Sequence, residues 1–298
     1  MEEKIHFLDE ETRCGHHISA KTKKIWACQM DILERFKEVC EEHGLRYWLD
    51  SGTLLGAIRH QGYIPWDDDI DVIMLREDYD RLVSIAQDEF RHPYVFQTAY
   101  SERNFVRGHA QIRNINTTGI IPSEINKSFN QGIFIDVFVL DYIPNDEEEY
   151  LRQEKAAGNK RYRLEMLATP LKDFRVNLSR IFKALKFKLK YPGKEAFNNL
   201  YASYEDVFRQ NKEQECTHLA TSAWKYRSFK RDKRFYEGTV TKKFEYLELP
   251  VPSGYDELLR TLYGEYMTPV QAPNQHGEVI FDTDTPADIT IKKLRKNR

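Results

Sequence analysis

Apolar residues recur first at helical and then at strand spacing. Ile25, Cys28, Ile32, Phe36, Val39 and Cys40 lie three and four apart between Lys21 and His43, and Gly44 follows. That pattern predicts an amphipathic helix with a glycine stop. Leu45 to Leu49 predicts a short strand running into Asp50-Ser51-Gly52-Thr53, and Leu54 to His60 predicts a helix. After a turn around Gly62 and Pro65, Trp66 to Leu75 predicts a strand with an acidic front. A helix from Arg76 to Phe90 follows, with Tyr79, Leu82, Val83 and Ala86 inward. Tyr94 to Thr98 and Ala110 to Ile115 predict further strands, and Gly132 to Leu140 is the most strand-like segment, with Asp136 at its centre. This order predicts an α/β fold, a mixed sheet with helices packed on it. Tyr150 to Phe208 then turns helical and polar. The organisation expected is an N-terminal extension (1–20), an α/β core (21–149) and a mostly helical C-terminal part (150–298).

Composition narrows the class. The 298 residues are 41% apolar and 31% charged, as in a globular protein. The net charge of −2 leaves no global basic field for nucleic acid, so no nucleic-acid partner is expected. No apolar run approaches the roughly 20 residues that span a bilayer, and Met1-Glu2-Glu3-Lys4 lacks a signal-peptide pattern, so a cytoplasmic location is expected. Four cysteines show no metal-site spacing, and Cys28 and Cys40 sit on the helical stripe as core thiols. Phe174 to Lys194 carries seven Lys or Arg and no acid around the stripe Leu178, Ile181, Phe182, Leu185 and Leu189. Such a stretch either makes peripheral contact with an anionic membrane or packs its stripe on the domain with a solvated lysine face.

Chemistry concentrates in Trp66-Asp67-Asp68-Asp69-Ile70-Asp71, four carboxylates in five residues leading into an apolar strand. Strands tolerate carboxylates poorly and like charges repel, so a cation is expected there. On an extended chain Asp69 and Asp71 share a face and Asp68 points away, which suits a divalent metal. Asp67 shares the alternation if the strand begins early. A lone buried Asp136 needs a partner or a metal for the same reason. Gly52-Thr53 at a strand-to-helix turn offers backbone N–H groups to an anion. Carboxylates, metal and phosphate together point to phosphoryl chemistry. Arg59 and Arg113 are candidate phosphate contacts or plain surface arginines. Tyr47, Trp48, Tyr63 and Trp66 flank the motif as candidates for a quaternary ammonium cage or for the core.

The run from Asp50 through Gly62-Tyr63-Ile64-Pro65-Trp66-Asp67-Asp68-Asp69-Ile70-Asp71-Val72 resembles the signature of LicD-family phosphocholine transferases, related to fukutin-type transferases within the nucleotidyltransferase superfamily. Gly132 to Asp141 is similar to the family's second block, although Val139 follows Phe138 where the family usually has proline. Tyr263-Gly264-Glu265-Tyr266-Met267 resembles its C-terminal block, whose histidine-rich ending is reduced to a lone His276. The resemblance implies a nucleotidyltransferase-like core with additional C-terminal helices. It implies transfer of phosphocholine from CDP-choline to a hydroxyl of a cell-surface glycan (teichoic acid, lipopolysaccharide or capsule precursor), releasing CMP. A lipid-linked form of this acceptor would bring the protein to the inner face of the plasma membrane. Asp69, Asp71 and Asp136 would be the catalytic and metal-binding residues for Mg²⁺ or Mn²⁺, with Asp136 helping to deprotonate the acceptor. Ser51, Gly52, Thr53, Arg59, Asp67 and Arg113 would bind substrate or phosphate. Three alternatives stay open: the same site using CDP-ribitol or CDP-glycerol, a non-catalytic metal-binding scaffold of a glycan assembly complex, and a two-metal nuclease, which the charge balance disfavours.

Overall fold

The computed structural model describes residues 6–102, 105–171, 178–221, 230–271 and 279–296. Of the expectations above, Phe174 to Asn177 and His276 lie outside the described residues. The fold is a mixed α/β one.

In chain order the elements begin with the hairpin β1 (Glu11–Arg13) and β2 (His16–Ile18), whose two turn residues, Cys14 and Gly15, both have positive φ. Positive φ at both positions is what a two-residue hairpin of matching twist requires. Helix α1 (Ala20–Glu42) starts where the Ser19 hydroxyl accepts the Thr22 N–H at 3.2 Å. It stops at Gly44, φ +59°, where the Leu45 N–H reaches back to the Cys40 carbonyl at 2.8 Å. The left-handed glycine and this six-to-one bond form a Schellman stop, as the apolar spacing predicts. Next come β3 (Trp48–Leu49), α2 (Ser51–His60), β4 (Asp71–Leu75), α3 (Arg76–Glu89), β5 (Tyr94–Gln97), β6 (Ala110–Asn114), β7 (Thr118–Ile120) and β8 (Ile133–Ile143). The remainder is α4 (Glu147–Ala168), α5 (Leu178–Lys190), α6 (Gly193–Arg209), β9 (His218–Thr221), β10 (Arg231–Asp232), β11 (Thr239–Phe244), β12 (Leu247–Pro252), α7 (Tyr255–Tyr263), β13 (Ile280–Asp282) and α8 (Ala287–Lys296).

These elements form two compact units, 1–96 with 111–138 and 233–298, and 97–110 with 139–232. The division differs from an expected break at 149/150. The last 66 or so residues return to the first unit because β11 and β12 cover the short strand β3, and Trp48 Nε1–H donates to the Thr239 hydroxyl at 2.9 Å. In the first unit β3 pairs antiparallel with β4 (Trp48 opposite Ile73, Leu49 opposite Val72), and β8 lies beside β4 and β6. Its core joins Trp26, Met30, Leu33 and Phe36 of α1, Leu54 of α2, Val72 to Met74 of β4, and Ile133, Ile135 and Val137 of β8, all fully buried. Burying an aliphatic or aromatic side chain contributes about 1.5–3 kcal/mol, so this cluster rigidly seats the strands that carry the acidic residues. In the second unit Leu164, Phe197, Tyr201, Tyr204 and Phe208 form the core between α4 and α6, and Leu140 to Ile143 pairs antiparallel with β9. Among the described residues no helix is long and apolar enough to cross a membrane.

Cys40 and Cys216 are buried thiols, Cys28 is half-buried and Cys14 is exposed at its hairpin turn. Burial pushes the Cys28 thiol up to about 12, so it stays protonated and inert, as a packing role requires.

Candidate active site

The acidic run does not begin as a strand. Extended pairing starts only at Asp71, and Asp67 to Ile70 approach it as irregular backbone pinned from below by α1. Trp26 Nε1–H donates to the Asp67 carbonyl at 3.0 Å, and Gln29 Nε2–H donates to the Asp68 carbonyl at 2.6 Å. Both donors sit on the buried face of α1, so the loop's path is set by the core and not by solvent. Without strand alternation, Asp68 is not turned away: Asp67, Asp68 and Asp69 each bring a carboxylate oxygen to within 4.8 Å of the other two. This corrects the expectation that Asp68 lies on the opposite face.

Asp71 opens β4, and its backbone is tied to the N-terminus of α2. The Thr53 hydroxyl accepts the Asp71 N–H at 2.8 Å, and the Asp71 carbonyl accepts the Asp50 N–H at 3.0 Å. Thr53 is buried and spends its hydroxyl on this tie, so it joins α2 to the acidic strand. Helix α2 begins at Ser51, earlier than the apolar spacing implies. Ser51 itself has φ +49°, a left-handed conformation that costs a non-glycine residue about 1 kcal/mol or more and is concentrated at functional sites. A Cβ on Gly52 would meet Asp67 Oδ2 at 2.7 Å, so glycine admits that carboxylate against the helix start.

Asp136 comes from β8, and its N–H donates to the Ile70 carbonyl at 2.9 Å, which brings the third acidic position beside the run. It is almost fully buried, and its Oδ1 accepts Gln111 Nε2–H at 2.8 Å. Gln111 is buried in turn, and its side-chain oxygen accepts an N–H from Arg113. The Arg113 guanidinium also donates to the Gly132 carbonyl at 2.7 Å and stacks over Phe134, 4.6 Å from the ring centre. At 1% exposure Arg113 is a core residue, and the expected phosphate contact through it gives way to a chain of hydrogen bonds ending on Asp136. Arg59 donates to the Tyr266 carbonyl at 2.7 Å and to His60 Nε2 at 2.9 Å, which anchors it within the first unit. Burial, with the Arg59 and Arg13 charges, pushes His60 down to about 4, so the ring is a neutral acceptor.

The electrostatics follow from this crowding. Burial pushes the Asp71 carboxyl well above the usual carboxylate range, and the charges of Asp69, Asp136, Asp50 and Asp67 add to it. Asp67 is pushed the same way by burial, by the Asp69 charge and a hydrogen bond with Asp69, and by Asp68. Like-charged carboxylates in a half-buried pocket cannot all ionise unaided, and a divalent cation removes that conflict while using oxygen as its preferred ligand. The donor set therefore fits Mg²⁺ or Mn²⁺.

Asp50 and Gln111 are the residues that sequence reasoning missed. Asp50 is buried and faces Asp71, and its place at the head of the signature was the available signal. Gln111 carried none, because a glutamine in a predicted strand is unremarkable until its neighbour across the sheet is known. Of the four aromatics flanking the motif, Tyr47, Trp48 and Tyr63 are core residues, with Tyr63 stacked on Trp26 at 4.3 Å, and Trp66 is half-buried.

Residues 44–161 match the LicD/FKTN/FKRP nucleotidyltransferase domain family, a span that holds every acidic residue described above. The lipopolysaccharide cholinephosphotransferase LicD of Haemophilus influenzae is 29% identical over 242 residues, 80% of this chain and 88% of that protein. The ribitol 5-phosphate transferase FKRP of Homo sapiens is 55% identical over 40 residues, 13% of this chain and 8% of FKRP.

Proposed function

We propose, from the match of residues 44–161 to the LicD/FKTN/FKRP nucleotidyltransferase domain family, a transferase that moves an alcohol phosphate, phosphocholine first, from a CDP-activated donor to a glycan hydroxyl. What carries this reading is the convergence of Asp67, Asp69, Asp71 and Asp136 beside the start of α2. Asp69 and Asp71, with Asp67, Asp68 and Asp136 around them, would hold Mg²⁺ or Mn²⁺. When bound, the cation supplies charge neutralisation for the donor diphosphate. The residues' own work is to orient. Thr53 ties down the Asp71 backbone, α1 fixes the acidic loop, and Gln111 holds one oxygen of the Asp136 carboxylate. The acceptor hydroxyl attacks the phosphorus bearing the alcohol, its proton passes to Asp136, and the bond to CMP breaks. A donor of this charge does not cross a bilayer unaided, so a donor made in the cytoplasm would be used at the cytoplasmic face of the membrane.

The likeness of 40 residues to FKRP favours CDP-ribitol as a second donor to be tested on equal terms. Purified protein incubated with Mg²⁺, glycan acceptors and CDP-choline, CDP-ribitol or CDP-glycerol should release CMP and form a phosphodiester visible by ³¹P NMR. Asp69→Asn should remove at least about 10³-fold of that turnover. Absence of CMP from every CDP-alcohol in the presence of acceptor would overturn the transferase reading. Turnover with CDP-ribitol alone would reassign the donor.

A further inference from the structure

Helix α5 belongs to the second unit and carries two apolar faces, of which the protein uses one. At about 100° per residue, Leu178, Phe182, Leu185 and Leu189 fall within an arc of about 60°. Their exposures are 73%, 71%, 40% and 83%. Ala184 and Phe187 lie between about 130° and 170° from the centre of that arc. They are the side that packs: Ala184 is fully buried, Phe187 joins the core of the second unit, and its ring meets Tyr162 edge-on at 6.2 Å. The alternative in which the helix buries its leucine stripe is therefore not the one adopted. Four large apolar side chains in a row stand in water on the outward face.

The polar residues beside the stripe have one sign. Lys186 and Lys190 border it on one side and Lys188 on the other, Lys183 and Arg180 lie further round, and the helix contains no acidic residue. In a chain of net charge −2 this basicity is local to the element and not a reflection of overall composition. A second copy presenting the same helix would set lysines against lysines, which opposes self-association. An apolar strip bordered by cations matches a surface that is apolar below and anionic at its rim. At 13 residues the helix is about 20 Å long, too short to span a bilayer and suited to lying along its surface.

We propose that α5 is a membrane-docking helix that seats Leu178, Phe182, Leu185 and Leu189 among the acyl chains of an anionic bilayer while its lysines engage the lipid headgroups. The assignment does not depend on the transfer reaction. If that reaction holds, α5 brings the protein to the surface where a lipid-linked acceptor is displayed.

The test is co-sedimentation of the full chain with vesicles of phosphatidylcholine containing about a quarter phosphatidylglycerol, against pure phosphatidylcholine, at about 0.1 M salt. The protein should sediment with the anionic vesicles, stay in solution with the neutral ones, and be released by about 0.5 M salt. Phe182→Ser with Leu189→Ser should weaken the apparent partition by about tenfold or more, with an unchanged thermal melt because both side chains are exposed. Lys186→Gln with Lys190→Gln should weaken binding to the anionic vesicles and leave the neutral ones unaffected. Equal sedimentation of parent and Phe182/Leu189 variant would overturn the proposal. So would a parent that ignores vesicles yet forms a dimer that the same variant abolishes.

Discussion

Replacing Asp67 with asparagine tests whether the acidic loop is a site kept under electrostatic load. The change is isosteric, and it preserves the side-chain oxygen that accepts the Asp68 N–H at 3.2 Å. What it removes is one charge from a set of three carboxylates whose oxygens lie within 4.8 Å of one another. At an effective dielectric of about 20, two full charges at that distance repel by about 3 kcal/mol. Asp67 is already pushed toward its protonated form by burial and by Asp69, and the pocket is partly open to water, so the recoverable fraction is smaller. Relief of about 1–2 kcal/mol is expected in cation-free protein. For a domain of this size that raises the melting temperature by about 2–8 °C. The same charge should be missed when Mg²⁺ is added, since a ligand present at about 100 times its dissociation constant stabilises the parent by about 2.7 kcal/mol. The variant, having lost a ligand and a charge, should gain less. Melting curves of both proteins in EDTA and across a Mg²⁺ titration measure each effect separately. A variant that melts lower than the parent in EDTA and keeps the full Mg²⁺ shift would refute the argument, because Asp67 would then be an ordinary structural carboxylate.

Two further perturbations probe the frame around the site. Glu245 is 5% exposed at its side chain and receives both Arg13 guanidinium nitrogens (2.6 and 2.8 Å) and the Tyr63 N–H (2.9 Å). Glu245→Ala leaves the Tyr63 N–H without its acceptor and the Arg13 guanidinium, 21% exposed, paired with Glu11 alone, and should cost about 1–3 kcal/mol in a urea titration, while Glu245→Gln, which keeps an acceptor for Tyr63, should cost clearly less; equal costs would show that the charge is irrelevant there. Gln111→Ala releases Asp136 Oδ1, and by analogy with outer-sphere partners of metal ligands should lower kcat by about 10–100-fold at nearly constant KM, with Gln111→Glu failing to rescue because it offers no donor when ionised. An unchanged kcat in Gln111→Ala would remove Gln111 from the positioning role.

Which features could be read in advance follows from the range of the interactions that determine them. Helix α1 was readable because its apolar spacing and its Gly44 stop are both local, and each acts within a few residues of where it is written. Asp136 was readable for a related reason: a carboxylate inside an apolar strand is anomalous wherever the strand lies. The orientation of Asp68 was misjudged because alternation holds only for paired, extended backbone, and the loop that replaces it is held by Trp26 and Gln29, about 40 residues away in sequence. The same limit explains Arg113, whose charge suggests a ligand contact until Phe134 and the Gly132 carbonyl are found around it. It also explains the return of 233–298 to the first unit, which depends on contacts such as that between Trp48 and Thr239.

The two sets of residues that build the site therefore differ in kind. Asp67 to Asp71 and Asp136 could be singled out from sequence because they oppose folding: no local preference explains four carboxylates entering a strand, so their presence asks for a function. Gln111, Thr53 and Trp26, which make the cluster usable, agree with folding at every local level and leave no such mark. Residues that strain the fold are visible in the sequence, and the residues that hold them in place become visible only through their contacts. The leucine stripe of α5 obeys the same logic on the surface. Its helical spacing is ordinary, and its meaning comes from the opposite face, where Ala184 and Phe187 already pack into the second unit.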